Sequence, residues 1–344
     1  MRGDDAPLRF GVVGAGSLGF HHVRIARDLS NIEMVGFYDI RPDRSLEVSE
    51  ALGVRAFNAL EDLLERVDAV VVATPTRTHA EVSEQVLRRG VHTFIEKPIA
   101  ADLNEADRIL AAAADSGAQV QVGHVERFNT AVVGARPYLD EPLFIESHRL
   151  APFTERGSDV AVVLDLMIHD VDLVSSLVGS PIEGLQATGV PVLTRSVDIA
   201  NARIQFRGGA VANLTASRVS TERMRKLRIF QRSGYLSLNL AEGTGEFLRL
   251  KQDLPALDQA GVVPEFLAGS PGGARATDLS AIVERIPLSA VPVEPLQREL
   301  ESFRDAIGAG TVPIVTAQDG RDALATALDI EHRIMTHVSN TSPS

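Results

Sequence analysis

Phe10-Gly11-Val12-Val13-Gly14-Ala15-Gly16-Ser17-Leu18-Gly19 is the stretch that decides how the rest of the chain is read. The apolar run Leu8 to Val13 ends in Gly14-x-Gly16-x-x-Gly19, and a helix-compatible stretch follows. In such a setting the first glycine permits a tight turn off a strand and the second lets backbone approach a pyrophosphate. The third allows close helix–sheet packing, and the new helix aims its N–H groups at the phosphates. Three glycines in a turn are often only a turn. Here the next apolar run, Ile32 to Tyr38, ends in Asp39, twenty residues after Gly19, where an acid is expected to hold an adenosine ribose. The succession predicts a dinucleotide site lined by Gly14, Gly16, Ser17, Leu18, Gly19 and Asp39. A carboxylate at 39 accepts bonds from free ribose hydroxyls and repels a 2′-phosphate, which favours NAD. Arg41 can accommodate that phosphate, so NADP is not excluded.

Outward from this stretch, residues 1–124 alternate strand and helix signals. Helices are expected over Ser45 to Leu52, Leu60 to Glu65, His79 to Arg89 and Leu103 to Ala114, with Gly90 and Gly117 as stops. Strands are expected over Val67 to Ala73, Val91 to Ile95 and Gln119 to Val122, the first almost continuously apolar, as in a buried parallel sheet. This alternation predicts a doubly wound α/β domain with a parallel sheet. Residues 125–344 read differently, as a second, α+β domain with a large, mostly antiparallel, open-faced sheet. Its strands are expected at Phe144 to Leu150, Gly184 to Leu193, Ile199 to Phe206, Val211 to Val219, Leu227 to Leu240 (broken near Gly234) and Glu246 to Lys251. Gly208-Gly209 marks a hairpin. One helix is expected around Val160 to Leu177, and two amphipathic helices at Pro295 to Ile307 and Gln318 to His337. Residues 253–282 carry little periodicity and read as a loop or insertion, and Ser339 to Ser344 are expected to fray.

The 344 residues suffice for two domains with a large core, and 44% hydrophobic with 23% charged residues is the balance of a soluble globular protein. A net charge of −12 disfavours wholesale binding to nucleic acid or anionic membrane. No cysteine is present, which excludes disulfides, thiolate metal sites and cysteine nucleophiles. No signal peptide or membrane-spanning run is apparent, and a cytoplasmic location is expected.

Two constellations could carry chemistry. Glu96-Lys97-Pro98 follows a strand of the parallel sheet, at the carboxyl end where ligands meet open α/β sheets. A lysine there can hydrogen-bond a substrate hydroxyl and favour its ionisation, and the proline behind it restricts the direction of the ammonium. The plain alternative is a surface salt-bridge lysine. In Leu164-Asp165-Leu166-Met167-Ile168-His169-Asp170-Val171-Asp172, helical spacing projects Asp165, His169 and Asp172 from one face. The apolar residues between them imply a buried helix, so these groups are not solvated decoration. A neutral histidine beside a carboxylate can take a hydroxyl proton as hydride leaves carbon. A structural Asp–His hydrogen bond and a contribution to a metal site are the competing readings, and no metal is expected.

Taken together, these residues resemble the glucose-fructose oxidoreductase/inositol dehydrogenase/MocA superfamily over essentially the whole chain. The resemblance rests on the order and spacing of Gly14-x-Gly16-x-x-Gly19, Thr74-Pro75-Thr76-x-Thr78-His79, Glu96-Lys97-Pro98 and Asp165-x-x-x-His169-x-x-Asp172. It implies that Lys97 and His169 serve proton transfer, and that Asp165 contacts a sugar hydroxyl or tunes the imidazole. Thr74, Pro75, His79 and Glu96 would line the dinucleotide, and Asn129 would contact substrate or nicotinamide. Val160-Ala161-Val162-Val163-Leu164 lacks the glycine run common in the family before this aspartate, so substrate fit is not expected to copy the inositol or glucose enzymes.

Three stretches are similar to the UDP-N-acetylglucosamine 3-dehydrogenase subgroup: Glu146 to Phe153, Val163 to Asp172, and Asp198 to Lys226 with the strand after it. Members of that subgroup oxidise the sugar 3-hydroxyl so that an aminotransferase can install nitrogen before lipid A assembly. A crowd of cations (Arg218, Arg223, Arg225, Lys226, Arg228 and Arg232) suits a diphosphate, although strand alternation splits it between two faces and a solvated hairpin or subunit contact explains most of it. Arg149 and Arg156 are equally eligible to hold phosphate. The expected activity is therefore an NAD-dependent oxidation of a sugar hydroxyl, with a free sugar or polyol dehydrogenase, an NAD-dependent glycosidase and a non-catalytic sensor as alternatives. A homo-oligomer, dimer or tetramer, is expected because a sheet with one free face can bury it against a copy.

Overall fold

The computed structural model describes residues 6–154, 161–251 and 283–341. The first sheet is built from β1 (Leu8–Val13), β2 (Ile32–Tyr38), β3 (Ala56–Phe57), β4 (Ala69–Val72), β5 (His92–Glu96) and β6 (Val120–Gly123) in the order β3-β2-β1-β4-β5-β6, every neighbouring pair parallel. Helices α1 (Ser17–Asp28), α2 (Pro42–Leu52), α3 (Leu60–Leu64), α4 (His79–Leu87) and α5 (Leu103–Ser116) cover its faces. All four residues of β4 are buried, as a parallel strand covered on both sides requires. Local chemistry fixes the helix ends. Pro42 pre-sets the first turn of α2. The Asp102 side chain accepts from the Glu105 N–H at the start of α5, and Gly117 ends that helix at φ 68°.

The second sheet has the order β14-β13-β12-β11-β7-β10-β9-β8. Its strands are β7 (Phe144–Leu150), β8 (Ile182–Val190), β9 (Ile199–Phe206), β10 (Val211–Ser217), β11 (Met224–Gln231), β12 (Gly234–Asn239), β13 (Thr244–Leu250) and β14 (Val283–Pro287). Among the described residues β7–β10 is its one parallel pair, and the rest are antiparallel. One face packs on α7 (Ile168–Val178) and α9 (Ala317–Thr341) through Met167, Ile168, Val171, Ile330 and Ile334, all buried. The outer face stays polar, with Gln186, Thr188, Asn201, Arg203, Asn213 and Thr215 lining a shallow depression.

The break expected near Gly234 is a tight turn: Met224–Gln231 and Gly234–Asn239 pair as a hairpin, with Gly234 at φ 151°. Several other elements depart from the sequence reading. The strand expected to reach Leu193 stops at Val190, because one Asp198 oxygen gathers the N–H groups of Val192, Leu193 and Thr194 at 2.6–2.9 Å. A short helix, α6 (Thr130–Ala135), was not anticipated, nor were β3 and β14. Val163–Met167 forms a turn of π-helix that runs straight into α7. The last helix continues to Thr341, past Ser339 where fraying was expected. Val160, Arg156 and the expected loop over 253–282 lie outside the described residues.

The carboxyl-terminal helices return to the first layer. On α8 (Pro295–Ala309), Phe303 meets Phe10 at 6.5 Å and Phe94 at 5.9 Å between ring centroids, both edge to face. The Val122 N–H donates to the Val315 carbonyl at 3.1 Å, and Gln121 and Thr316 form an antiparallel bridge at the β6 edge.

Candidate active site

Strand order reverses direction between β1 and β4, so a crevice opens beyond the carboxyl ends of the first sheet. Four connections meet there: the glycine loop after β1, Thr74-Pro75 after β4, Lys97-Pro98 after β5 and His124 after β6. Gly14 sits at φ +88°, and a Cβ on it would lie 2.8 Å from the Ala73 carbonyl oxygen. A Cβ on Gly19 would lie 1.8 Å from the Gly14 carbonyl oxygen, so α1 packs there only without a side chain. A Cβ on Gly16 would face open space, and Ser17 and Leu18 are exposed on the first turn of α1. This leaves backbone N–H groups directed at the crevice, which is what a pyrophosphate requires.

Asp39 stands at the end of β2. One oxygen accepts from the Ala15 N–H at 2.8 Å, and the other from the Arg41 N–H at 3.0 Å and its guanidinium at 3.3 Å. Burial works against its charge, but the N–H groups of Arg41 and Ala15 hold the carboxyl below the usual aspartate range. An ionised acid in contact with the glycine loop fits the ribose of a dinucleotide. His79, on α4, lies 2.9 Å from the Thr74 carbonyl and 2.9 Å from the Pro98 carbonyl, tying two of the four connections together. Glu96 is buried, 2.7 Å from His22 Nε2 on α1, and accepts from the Lys97 N–H at 3.1 Å. Burial raises its pKa, and His22 with the Lys97 charge outweighs that and keeps it below the usual value.

Lys97 reaches across to the second layer. Its ammonium donates to the Asp165 backbone carbonyl at 2.7 Å and lies 3.9 Å from the Asp165 carboxylate. That carbonyl belongs to the π-turn four residues before His169, so Lys97 and His169 come together at one end of α7. Burial lowers the Lys97 pKa below the ordinary lysine value, Arg149 and Arg225 adding to the effect against Asp165 and Glu96. Burial, together with Lys97, Arg149, His124 and Arg225, holds the His169 imidazole well below its ordinary value, hence neutral. His169 is nonetheless partly exposed, with Nδ1 buried. A neutral base beside a fixed ammonium can remove a hydroxyl proton while the oxygen gains negative charge.

Other residues expected in the site have different partners. Both oxygens of Asp172 are taken by Arg127, with Nε to Oδ2 at 2.8 Å. Asn129 caps α6 by accepting from the Ala131 N–H, and its amide donates to Glu126 at 3.0 Å and the Leu240 carbonyl at 2.9 Å. Arg149, on β7, forks onto Asp170 at 2.8 and 3.0 Å and donates to Glu126 at 2.8 Å, so its guanidinium is already neutralised. Arg225 shares Glu126 at 3.4 Å, whereas Lys226 and Arg228 lie on the exposed face of β11. Sequence reasoning missed His124, Glu126, Arg127 and Asp170. The available signal was His124, Glu126 and Arg127 directly after β6, and Asp170 inside a helix read as apolar nearly all round. Among the described residues no group of three or more His, Cys, Asp or Glu could hold a metal ion, and no helix is long and apolar enough to cross a membrane.

Comparison with known proteins bears on this geometry. Residues 8–124 match the model of an oxidoreductase family with an NAD-binding Rossmann fold, and residues 113–237 match the GFO/IDH/MocA C-terminal domain. The chain is 36% identical over 324 residues to UDP-N-acetylglucosamine 3-dehydrogenase of Acidithiobacillus ferrooxidans, covering 94% of this chain and 96% of that one. A solved structure of that enzyme superposes with a TM-score of 0.83 at 34% identity, covering 96% of this chain and 98% of the other. Inositol 2-dehydrogenase of Rhizobium meliloti is 28% identical over 232 residues, 62% of this chain and 70% of that one.

Proposed function

This chain belongs to the GFO/IDH/MocA family of NAD-binding oxidoreductases, dehydrogenases of CH–OH donors, and from that premise we propose that it oxidises C3 of a nucleotide-sugar such as UDP-N-acetylglucosamine. The observation that carries the reading is the Lys97 ammonium, 2.7 Å from the carbonyl four residues before His169, at the carboxyl end of the sheet that carries the glycine loop. NAD, when bound, supplies the hydride acceptor. Gly14, Gly16, Ser17, Leu18, Gly19 and Asp39 hold it by backbone N–H groups and a carboxylate, with Thr74, Pro75, His79 and Glu96 along the crevice. His169 takes the hydroxyl proton, Lys97 steadies the negative charge that develops on oxygen, and Asp165 contacts a neighbouring sugar hydroxyl. A ketone at C3 is what an aminotransferase consumes, in keeping with a place ahead of lipid A assembly. The polar outer face of the second sheet is the surface through which we expect two copies to associate.

Oxidation of a free polyol is a second reading. It is favoured by the inositol dehydrogenase relatives and by Arg149, which is held by two carboxylates rather than open to a diphosphate. A screen of UDP-sugars and free polyols with NAD and with NADP, followed by the appearance of reduced nicotinamide, separates the two. The expected result is the largest kcat/KM for UDP-N-acetylglucosamine with NAD. Reduction with inositol alone would select the second reading. Tight NAD binding with no reduction by any sugar would overturn both.

A further inference from the structure

His22 takes no part in the chemistry above, yet it touches the group that aims Lys97. It lies on α1, three residues after Gly19, and is fully buried. Its ring meets Phe94 edge to face at 5.3 Å between centroids, and Nε2 stands 2.7 Å from Glu96 Oε1. The Glu96 carboxyl is ionised at neutral pH, so it only accepts, and Nε2 carries the hydrogen. The other Glu96 oxygen accepts from the Lys97 N–H at 3.1 Å. Strand β6 leaves room for this carboxylate. Gly123 is the register partner of Glu96, and a Cβ on it would come within 3.1 Å of Oε2. Three elements, α1, β5 and β6, thus close around one carboxylate.

Stability alone does not account for this pair. Replacing both members of a buried polar pair by apolar groups of the same shape is often neutral or stabilising. Its place in the chain does account for it. The backbone at Lys97 is gripped on both sides: its own N–H by Glu96, and the next carbonyl, that of Pro98, by His79 Nδ1 at 2.9 Å. From there the side chain crosses to donate to the Asp165 carbonyl at 2.7 Å. A long side chain that must reach one acceptor loses rotamer freedom, and a backbone fixed in direction leaves it less to lose. Building on the dehydrogenase reading, we propose that His22 is a positioning residue: acting through Glu96, it fixes the direction in which Lys97 leaves β5 and ties the ammonium to the helix that faces the cofactor phosphates. Helix α1 then serves both ends of the site. Its first turn faces the pyrophosphate, and its second sets the lysine beside the alcohol. His22 itself makes and breaks no bond in the reaction.

The chain has three lysines, Lys97, Lys226 and Lys251, of which the last two are exposed, so labelling lysine with ¹³C at Cε gives Lys97 its own NMR signal. The order parameter of that carbon, in protein loaded with NAD, reads the positioning without turnover. His22→Phe keeps a ring against Phe94 and removes the donor. The expected result is a fall of about a third in the Lys97 order parameter, with NAD affinity unchanged. His22→Gln, whose amide N–H can replace that of Nε2, is expected to restore it. Because His22→Phe strands a buried carboxylate, the double variant His22→Phe, Glu96→Leu is made beside it. There the Tm is expected to match or exceed that of the parent while Lys97 is equally loose. An unchanged Lys97 order parameter in the double variant would make the pair a packing contact and overturn the proposal. With a sugar that reacts, kcat is expected to fall by about 10- to 100-fold in His22→Phe at constant KM for NAD, and to recover in His22→Gln. A kcat left at the parent value would also overturn it. Should the Lys97 signal behave as expected while no sugar reacts, the positioning stands and the dehydrogenase reading fails.

Discussion

At the scale of single residues, the proposed reaction turns on two groups with depressed pKa values and opposite duties. His169 must be neutral to accept a proton, and its surroundings ensure this far below its ordinary pKa of 6.5. The acid limb of kcat/KM is therefore expected well below pH 6.5, and the alkaline limb, set by loss of the Lys97 proton, below the ordinary 10.5. A pH–rate profile checks both. Replacing Lys97 or His169 by Ala should lower kcat by about 10²–10⁴-fold while isothermal titration shows NAD binding intact. Loss of NAD affinity in both variants would make them structural instead. That Asp39, Lys97 and the three glycines stand at the carboxyl ends of the parallel strands was legible, because each lies in a short motif that follows a strand. The pairings of Asn129, Arg149 and Asp172 were not. Whether a charged side chain meets substrate or a partner depends on pairings such as Arg127 with Asp172, 45 residues apart in sequence. No local pattern announces such a pairing.

Among the elements, five of the six parallel strands were read to within two residues at each end, the short β3 being missed, since a strand covered on both faces carries a mostly apolar run. The open-faced sheet was harder. Its break at Gly234 was legible in that glycine, but the Asp198 turn is decided by a single carboxylate, and the π-turn before α7 leaves no trace in hydrophobic spacing. Helix α8 carries another feature that composition hides. Glu299 is fully buried, neither carboxylate oxygen has a partner among the described residues, and burial, with Glu96 and Asp172 nearby, pushes its pKa well above 4.5. The protonated form is thus preferred in the fold. Its contribution is intact below the unfolded pKa and is lost as pH rises through the higher folded value. Glu299→Gln mimics the neutral acid. Scanning calorimetry should show nearly equal Tm at pH 5 and a higher Tm for the variant at pH 8, by a few degrees, as relief of about 1–2 kcal/mol implies.

For the molecule as a whole, the division into residues 1–124 and 125–344 remains our reading of the domains, and Lys97 on the Asp165 carbonyl and Arg321 on Asp107 join its two sides. Acid should loosen the assembly. His79, His92, His124 and His169 all have folded pKa values below 6.5, chiefly through burial, so below that pH the unfolded chain binds more protons than the native one. Denaturant midpoints are expected to fall steadily as pH drops from 6.5 towards 5, and a flat profile would contradict the burial of these rings. The return of α8 to the first sheet has a consequence for how the protein is made. Phe10 and Phe94 leave the ribosome long before Phe303, which covers them, and the edge of β6 waits longer still for Val315 and Thr316. A nascent chain carrying only the nucleotide-binding half must hold an uncovered aromatic surface until α8 has been made. Residues 1–124 released alone should accordingly bind a hydrophobic dye and associate, and co-expression of a segment spanning α8 and α9 should suppress both.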